Sequence, residues 1–144
     1  MIFRWITTGI FLTVGTFWDI REKKIPGVWI GLGLFFGMVC MLYQCLTGRI
    51  EIQDCFTACL PGVLFLLICA VTREQMGSGD GFALLVLGGL LGAKRVWLIW
   101  LVSLGSVFLF GIMILILKRG TGKTQIAYFP FLLLGYLVVA GGVG

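Results

Sequence analysis

Apolar runs follow one another along almost the whole chain, broken only by short polar stretches, and this succession constrains the fold more than any other feature. A membrane-crossing helix needs about 20 apolar residues, with a working range of roughly 17 to 25. Six segments reach or approach that length: Ile2 to Trp18, Gly27 to Leu46, Cys55 to Val71, Asp80 to Ala93, Val96 to Leu117 and Ile126 to Val143. The expected fold class is therefore all-α, a polytopic membrane protein built as one bundle of about six transmembrane helices. Composition agrees, since a mean hydropathy of +1.10 with only 12% charged residues lies outside the range of a water-soluble domain. The 22 glycines suit helices packed closely through small residues. At 1.5 Å per residue the fourth segment reaches only about 21 Å, so it either thins the bilayer or sits partly inside the bundle. Pro61 is expected to kink the third helix, and Pro130 falls in the opening turn of the sixth, where proline costs least. The first run lacks a small-residue cleavage site and reads as a retained helix, not a signal peptide.

The net charge of +5 is spread over several short loops and forms no single basic face, which argues against nucleic acid and for membrane orientation. The loops after helices one, three and five hold Arg21, Lys23, Lys24, Arg73, Lys118, Arg119 and Lys123, against Arg4, Arg49, Lys94 and Arg95 on the other side. By the positive-inside rule the first set is cytoplasmic and both termini are outside. The expected location is a membrane, with the odd-numbered loops facing the cytoplasm. The five cysteines, Cys40, Cys45, Cys55, Cys59 and Cys69, include no C-x-x-C pair, and there is no histidine, so neither a zinc site nor any other metal or cofactor is expected. Cys45 and Cys55 flank one loop and could pair in an oxidising compartment, although small apolar core cysteines are the commoner case.

The chemistry concentrates in Met76-Gly77-Ser78-Gly79-Asp80-Gly81, a glycine-rich turn that places a carboxylate at the edge of an apolar run. Acids at a membrane boundary are costly and read as functional by default. The glycines are expected to permit positive φ and close approach of another backbone. The blander reading makes Asp80 the N-cap of the following helix. A second boundary acid shifts the balance: Asp19 ends the first helix, and chain parity puts it on the same membrane face as Asp80 in either orientation. Glu22 and Glu74 share that face beside basic neighbours and read as solvated charges, while Glu51 and Asp54 lie on the opposite one. Trp5, Trp18, Trp29, Trp97 and Trp100 fall mostly near expected helix ends, as an interfacial belt would.

Two aspartates converging on one water can cleave an amide, one as ionised base and one as protonated acid. Without histidine no Ser-His or Cys-His nucleophile exists, Ser78 has no base to activate it, and Gly120-Thr121-Gly122-Lys123-Thr124 lacks the spacing of a phosphate-binding loop. Asp19-Ile20-Arg21-Glu22-Lys23-Lys24-Ile25-Pro26, followed by Gly77-Ser78-Gly79-Asp80 and a proline near the start of the last helix, resembles the paired signature of type IV prepilin peptidases, membrane aspartyl proteases of the GxGD class. The resemblance covers nearly the whole chain. It implies Asp19 and Asp80 as catalytic dyad, with Gly77, Gly79, Lys24 and Pro26 supporting the two motifs. It also implies prepilin-like precursors, with a basic leader and an apolar N-terminal helix, as partners within the lipid bilayer. Many family members carry Asn after Ile-Pro and Lys two residues after the GxGD aspartate, where this chain has Gly27 and Phe82. Longer members carry a cysteine-rich N-terminal extension associated with N-methylation; residues 1–144 form a single peptidase-like domain without it, so methyl transfer is not expected.

Two other readings stand beside the protease. Intramembrane acids also relay protons, which fits a small proton- or ion-coupled transport protein, and the two aspartates could simply join helices in a non-catalytic subunit. Within a protease, a helix start at Asp80 favours the anion and a helix end at Asp19 disfavours it, while Arg21, Lys23 and Lys24 pull the other way. Which residue is the acid stays open. The firmer expectation is that the pair titrates together.

Overall fold

The computed structural model describes residues 2–22, 25–71, 78–117 and 127–143, and among these it contains six helices and no strand. They are α1 (Ile2–Glu22), α2 (Gly27–Leu46), α3 (Ile52–Val71), α4 (Ser78–Leu91), α5 (Ala93–Ile116) and α6 (Phe129–Val143). Helices α2, α3 and α5 are long and apolar enough to cross a membrane; α4 and α6 are shorter apolar helices. Many large apolar side chains on α2, α3 and α5 point outward, among them Phe35, Phe56 and Phe108, as expected where the outer surface meets lipid instead of water.

Several boundaries differ from the apolar runs, because hydropathy marks what is buried and not where a helix stops. Helix α1 continues through Glu22, since nothing between Asp19 and Glu22 breaks it and the first proline is Pro26. Asp19 therefore lies inside the last turn, not at its end. Helix α3 starts at Ile52, where the Glu51 carbonyl accepts from the N–H groups of Asp54 (3.0 Å) and Cys55 (3.3 Å). Helices α4 and α5 are joined by Gly92 alone, whose φ of +84° ends one helix and opens the next. Lys94 and Arg95, expected in a loop, thus belong to the first turn of α5. None of the five cysteines is in a disulfide, and Cys45 and Cys55 lie within hydrogen-bond reach of each other where α2 turns into α3.

Helix α4 is the axis of the bundle. Of its 14 residues, Asp80, Gly81, Ala83, Leu84, Val86, Leu87, Gly88, Gly89, Leu90 and Leu91 are buried, the signature of a helix enclosed by protein on all sides. Helices α3 and α2 cover it most extensively, with α5 and α1 completing the ring, and α6 packs outside between α5 and α1. Glycine makes the close approaches possible: a Cβ on Gly88 would overlap the Ala58 carbonyl oxygen of α3, and one on Gly89 would stand 2.6 Å from the Gly37 oxygen of α2. The carboxyl end of α4 is met by cations. Arg4 Nε donates to the Leu90 oxygen, and Arg95 Nη1 donates to the Leu91 oxygen at 3.4 Å while its guanidinium sits 5.4 Å from the Trp5 ring. Helices α1 and α2 both lean on α4 and meet each other through aromatic side chains, Phe11 stacking on Trp29 at 5.8 Å, beside an apolar cavity of about 290 Å³ lined by Phe11, Trp29, Phe36, Val86 and Leu90.

Candidate active site

At the opposite end of α4 stands Asp80, the third residue of the helix and only 8% exposed. It occupies the first turn and not the N-cap, so its carboxylate is carried inward by the helix as an enclosed side chain. The residues around it explain how a short glycine-rich stretch packs there. Gly79 is helical, without the positive φ expected of it; a Cβ at that position would meet Ile25 Cδ1 and Ile30 Cδ1 at 3.4 Å, an ordinary contact. Gly81 has the tighter duty, since a Cβ there would stand 2.6 Å from Leu66 Cγ on α3. Ile25 and Pro26 thereby bring the start of α2 against the start of α4, and the Pro26 carbonyl opens α2 by accepting from Trp29 (3.0 Å) and Ile30 (3.3 Å). Lys24 and Gly77 lie outside the described residues, as does Glu74.

Asp19 approaches from α1, half-buried, and its charge acts on Asp80. Its Oδ2 accepts a hydrogen bond of 3.3 Å from the backbone N–H of Phe129 at the start of α6. The donor inventory of that turn shows why. The first N–H groups of any helix lack partners within it. Here Pro130 has no N–H, while Phe131 (2.9 Å) and Leu132 (3.1 Å) both donate to the Tyr128 carbonyl, so Phe129 is left with the one N–H that must look elsewhere. Gly15, one turn before Asp19, admits the fully buried Phe129 ring, and a Cβ there would overlap it. The negative end of α1, where Asp19 stands, is thereby opposed by the positive end of a second helix, α6, so both aspartates are associated with helix N-termini.

Behind this contact, the Tyr128 hydroxyl pairs with Ser103 Oγ of α5 at 2.7 Å, and Ser103 Oγ donates to the Trp100 carbonyl at 2.8 Å. A hydroxyl has one proton, so Tyr128 is the donor of the pair. Its ring packs 5.2 Å from that of Phe65, and it lies near enough to Asp80 to feel its charge. Thr16, one turn before Asp19, is buried, and its hydroxyl has no partner among the described residues. The other threonines of α1, Thr7, Thr8 and Thr13, bond the carbonyl four residues back. Glu22 is exposed, as expected of a solvated charge. Among the described residues no group of three or more His, Cys, Asp or Glu side chains could hold a metal ion.

Sequence reasoning singled out neither Tyr128, Ser103 nor Phe129. Only Pro130 carried a trace of them, because a proline at the second position of a helix strips the turn of a donor and isolates its neighbour.

Six helices, three of them long and apolar enough to cross a membrane, mark a multi-pass membrane protein, with Asp19 and Asp80 at one end of its bundle. Residues 6–117 match the model of the type IV leader peptidase family, and the chain belongs to that family. The family makes it a leader-peptidase-like protease. The matched region runs from α1 to the end of α5 and stops short of α6. No curated protein and no solved structure gave a match.

Proposed function

We propose that the chain is an aspartyl endopeptidase that removes the short basic leader of prepilin-like precursors, with Asp19 and Asp80 as its two catalytic carboxyls. The observation that carries this reading is the placement of two acids far apart in sequence at one end of the bundle, Asp80 buried in the first turn of α4 and Asp19 half-buried in the last turn of α1. Like charges in one site do not both ionise readily, so the pair holds one proton between them. The ionised carboxylate takes a proton from water as the oxygen attacks the scissile carbonyl carbon, and the protonated carboxyl gives its own to the carbonyl oxygen. The resulting gem-diol returns a hydroxyl proton to the second aspartate. The first delivers its proton to the departing amide nitrogen as the C–N bond breaks, and the dyad is restored.

The excess of Lys and Arg in the odd-numbered loops supports a site on the cytoplasmic face, where the leader meets the apolar helix of the precursor. Co-expression with candidate prepilin-like precursors tests the reading. The wild type should shorten one of them by its leader. Asp19→Asn and Asp80→Asn should each lower processing by at least about 100-fold while remaining inserted and folded, and Glu22→Gln should keep most activity. Normal processing by Asp80→Asn would remove the dyad. Ion flux through reconstituted vesicles without any cleavage would favour transport instead.

A further inference from the structure

We infer that the Ser103–Tyr128 pair is a positioning device that holds the first turn of α6 against Asp19, and that it makes Asp19 the ionised base of the site, with Asp80 keeping the proton. The inference rests on the reading of Asp19 and Asp80 as the working carboxyls and adds the division of labour between them. Its basis is a chain of contacts that crosses three helices. Ser103, fully buried on α5, is fixed by its bond to the Trp100 carbonyl and accepts from the Tyr128 hydroxyl at 2.7 Å. Tyr128 in turn holds the two following N–H groups of α6 on its own carbonyl, which leaves the Phe129 N–H directed at Asp19 Oδ2. An N–H can only donate, so it favours the carboxylate over any protonated oxygen presented to it. Tyr128 touches neither water nor substrate in this scheme. It acts through Phe129, and the same buried N–H governs the base in every turnover.

Among the described residues of the helices packed against α1, α4 presents Asp80 to Asp19 and α6 presents Tyr128 just ahead of its first turn, while Tyr136, midway along α6, donates to the Trp5 carbonyl and α2 carries no acid, lysine or arginine. Arg21 and Glu22 on α1 itself are exposed.

The test is an infrared titration of the Asp19 carboxyl band in the detergent-solubilised full chain, with the band identified by its loss in Asp19→Asn. Tyr128→Phe removes one oxygen and leaves the ring on Phe65. It should raise the midpoint of the Asp19 band by about one pH unit, the size expected for weakening a hydrogen bond to an anion. Ser103→Ala should do the same, and Ser103→Thr, which retains the hydroxyl, should restore the wild-type midpoint. Ser103→Ala strands a buried phenol; should it fail to fold, the double variant Ser103→Ala/Tyr128→Phe removes both partners and carries the comparison. In cleavage assays the acid limb of the kcat profile should move with the band while the alkaline limb stays. An unmoved Asp19 midpoint in Tyr128→Phe overturns the inference, as does movement of the alkaline limb alone. Because the band is read without substrate, a wild type that cleaves no precursor defeats the proposed protease and leaves the titration to decide the positioning role.

Discussion

Gly89→Ala offers the sharpest test of how the bundle holds its central helix. The added Cβ would stand 2.6 Å from the Gly37 oxygen, 2.8 Å from its carbonyl carbon and 3.1 Å from its Cα. The nearest of these is about 1 Å inside an ordinary contact, and all three are backbone, so no rotamer change relieves them. The helices α2 and α4 must separate or slide. Overpacking of this kind costs about 1–3 kcal/mol, and replacing a helical glycine returns only about 0.5–1 kcal/mol, which leaves a net loss of about 1 kcal/mol at the middle of both ranges. Gly105→Ala and Gly111→Ala on α5 are the controls, since a Cβ at either meets nothing within 4 Å. Those two should be neutral or slightly stabilising. Reversible unfolding in mixed micelles, followed by tryptophan fluorescence, measures all three. The reasoning is refuted if Gly89→Ala unfolds at the same point as Gly105→Ala or later.

Three further outcomes follow from the site and the ends of α4. Activity should be bell-shaped in pH, falling as pH drops through the lower apparent pKa, when the base is protonated, and falling again as pH rises through the upper one, when the acid loses its proton; a flat profile in a protein shown to stay folded would remove the two-carboxyl mechanism. Gly81→Ala should be destabilising by about 1–3 kcal/mol because its Cβ meets Leu66, whereas Gly79→Ala, facing Ile25 and Ile30 at ordinary distance, should fold and process normally; equal loss in both would show that space is not what distinguishes them. Arg4→Gln should lower stability by about 1 kcal/mol by taking a cation from the Leu90 carbonyl at the carboxyl end of α4, and an unfolding midpoint equal to wild type would count against that contact.

What the sequence made legible was whatever depends on local pattern. Six apolar runs gave six helices, and the shortest of them proved to be the enclosed one, as a segment too short for the bilayer and flanked by longer neighbours ought to be. Helix ends were read less well, because Asp19, Arg21 and Glu22 are polar without being helix breakers, and because Gly92 alone turns the chain where a longer loop was expected. Both aspartates were visible as boundary acids. Their surroundings were not: the bond from Phe129 to Asp19 joins residues 110 apart, and the Ser103–Tyr128 bond joins residues of two apolar runs whose hydroxyls have no local pattern to reveal a partner. The glycines of the Gly77–Gly81 stretch suggested unusual backbone angles, and the two described ones instead serve helical packing, Gly81 against Leu66 above all.

The one-residue joint at Gly92 also bears on how the protein is made. A helix of 14 residues with a carboxyl in its first turn is too short to rest stably in lipid by itself, yet it must end as the most enclosed element of the molecule. Since α5 begins immediately after Gly92 and is apolar over 24 residues, α4 enters the membrane as the leading arm of a hairpin whose trailing arm supplies the anchorage. Its slot is formed by α2 and α3, which leave the ribosome earlier, so the order of synthesis matches the order of assembly. Lengthening that joint would loosen the tie between the two arms and slow the delivery of α4 into its slot, at only the small entropy cost of a longer loop.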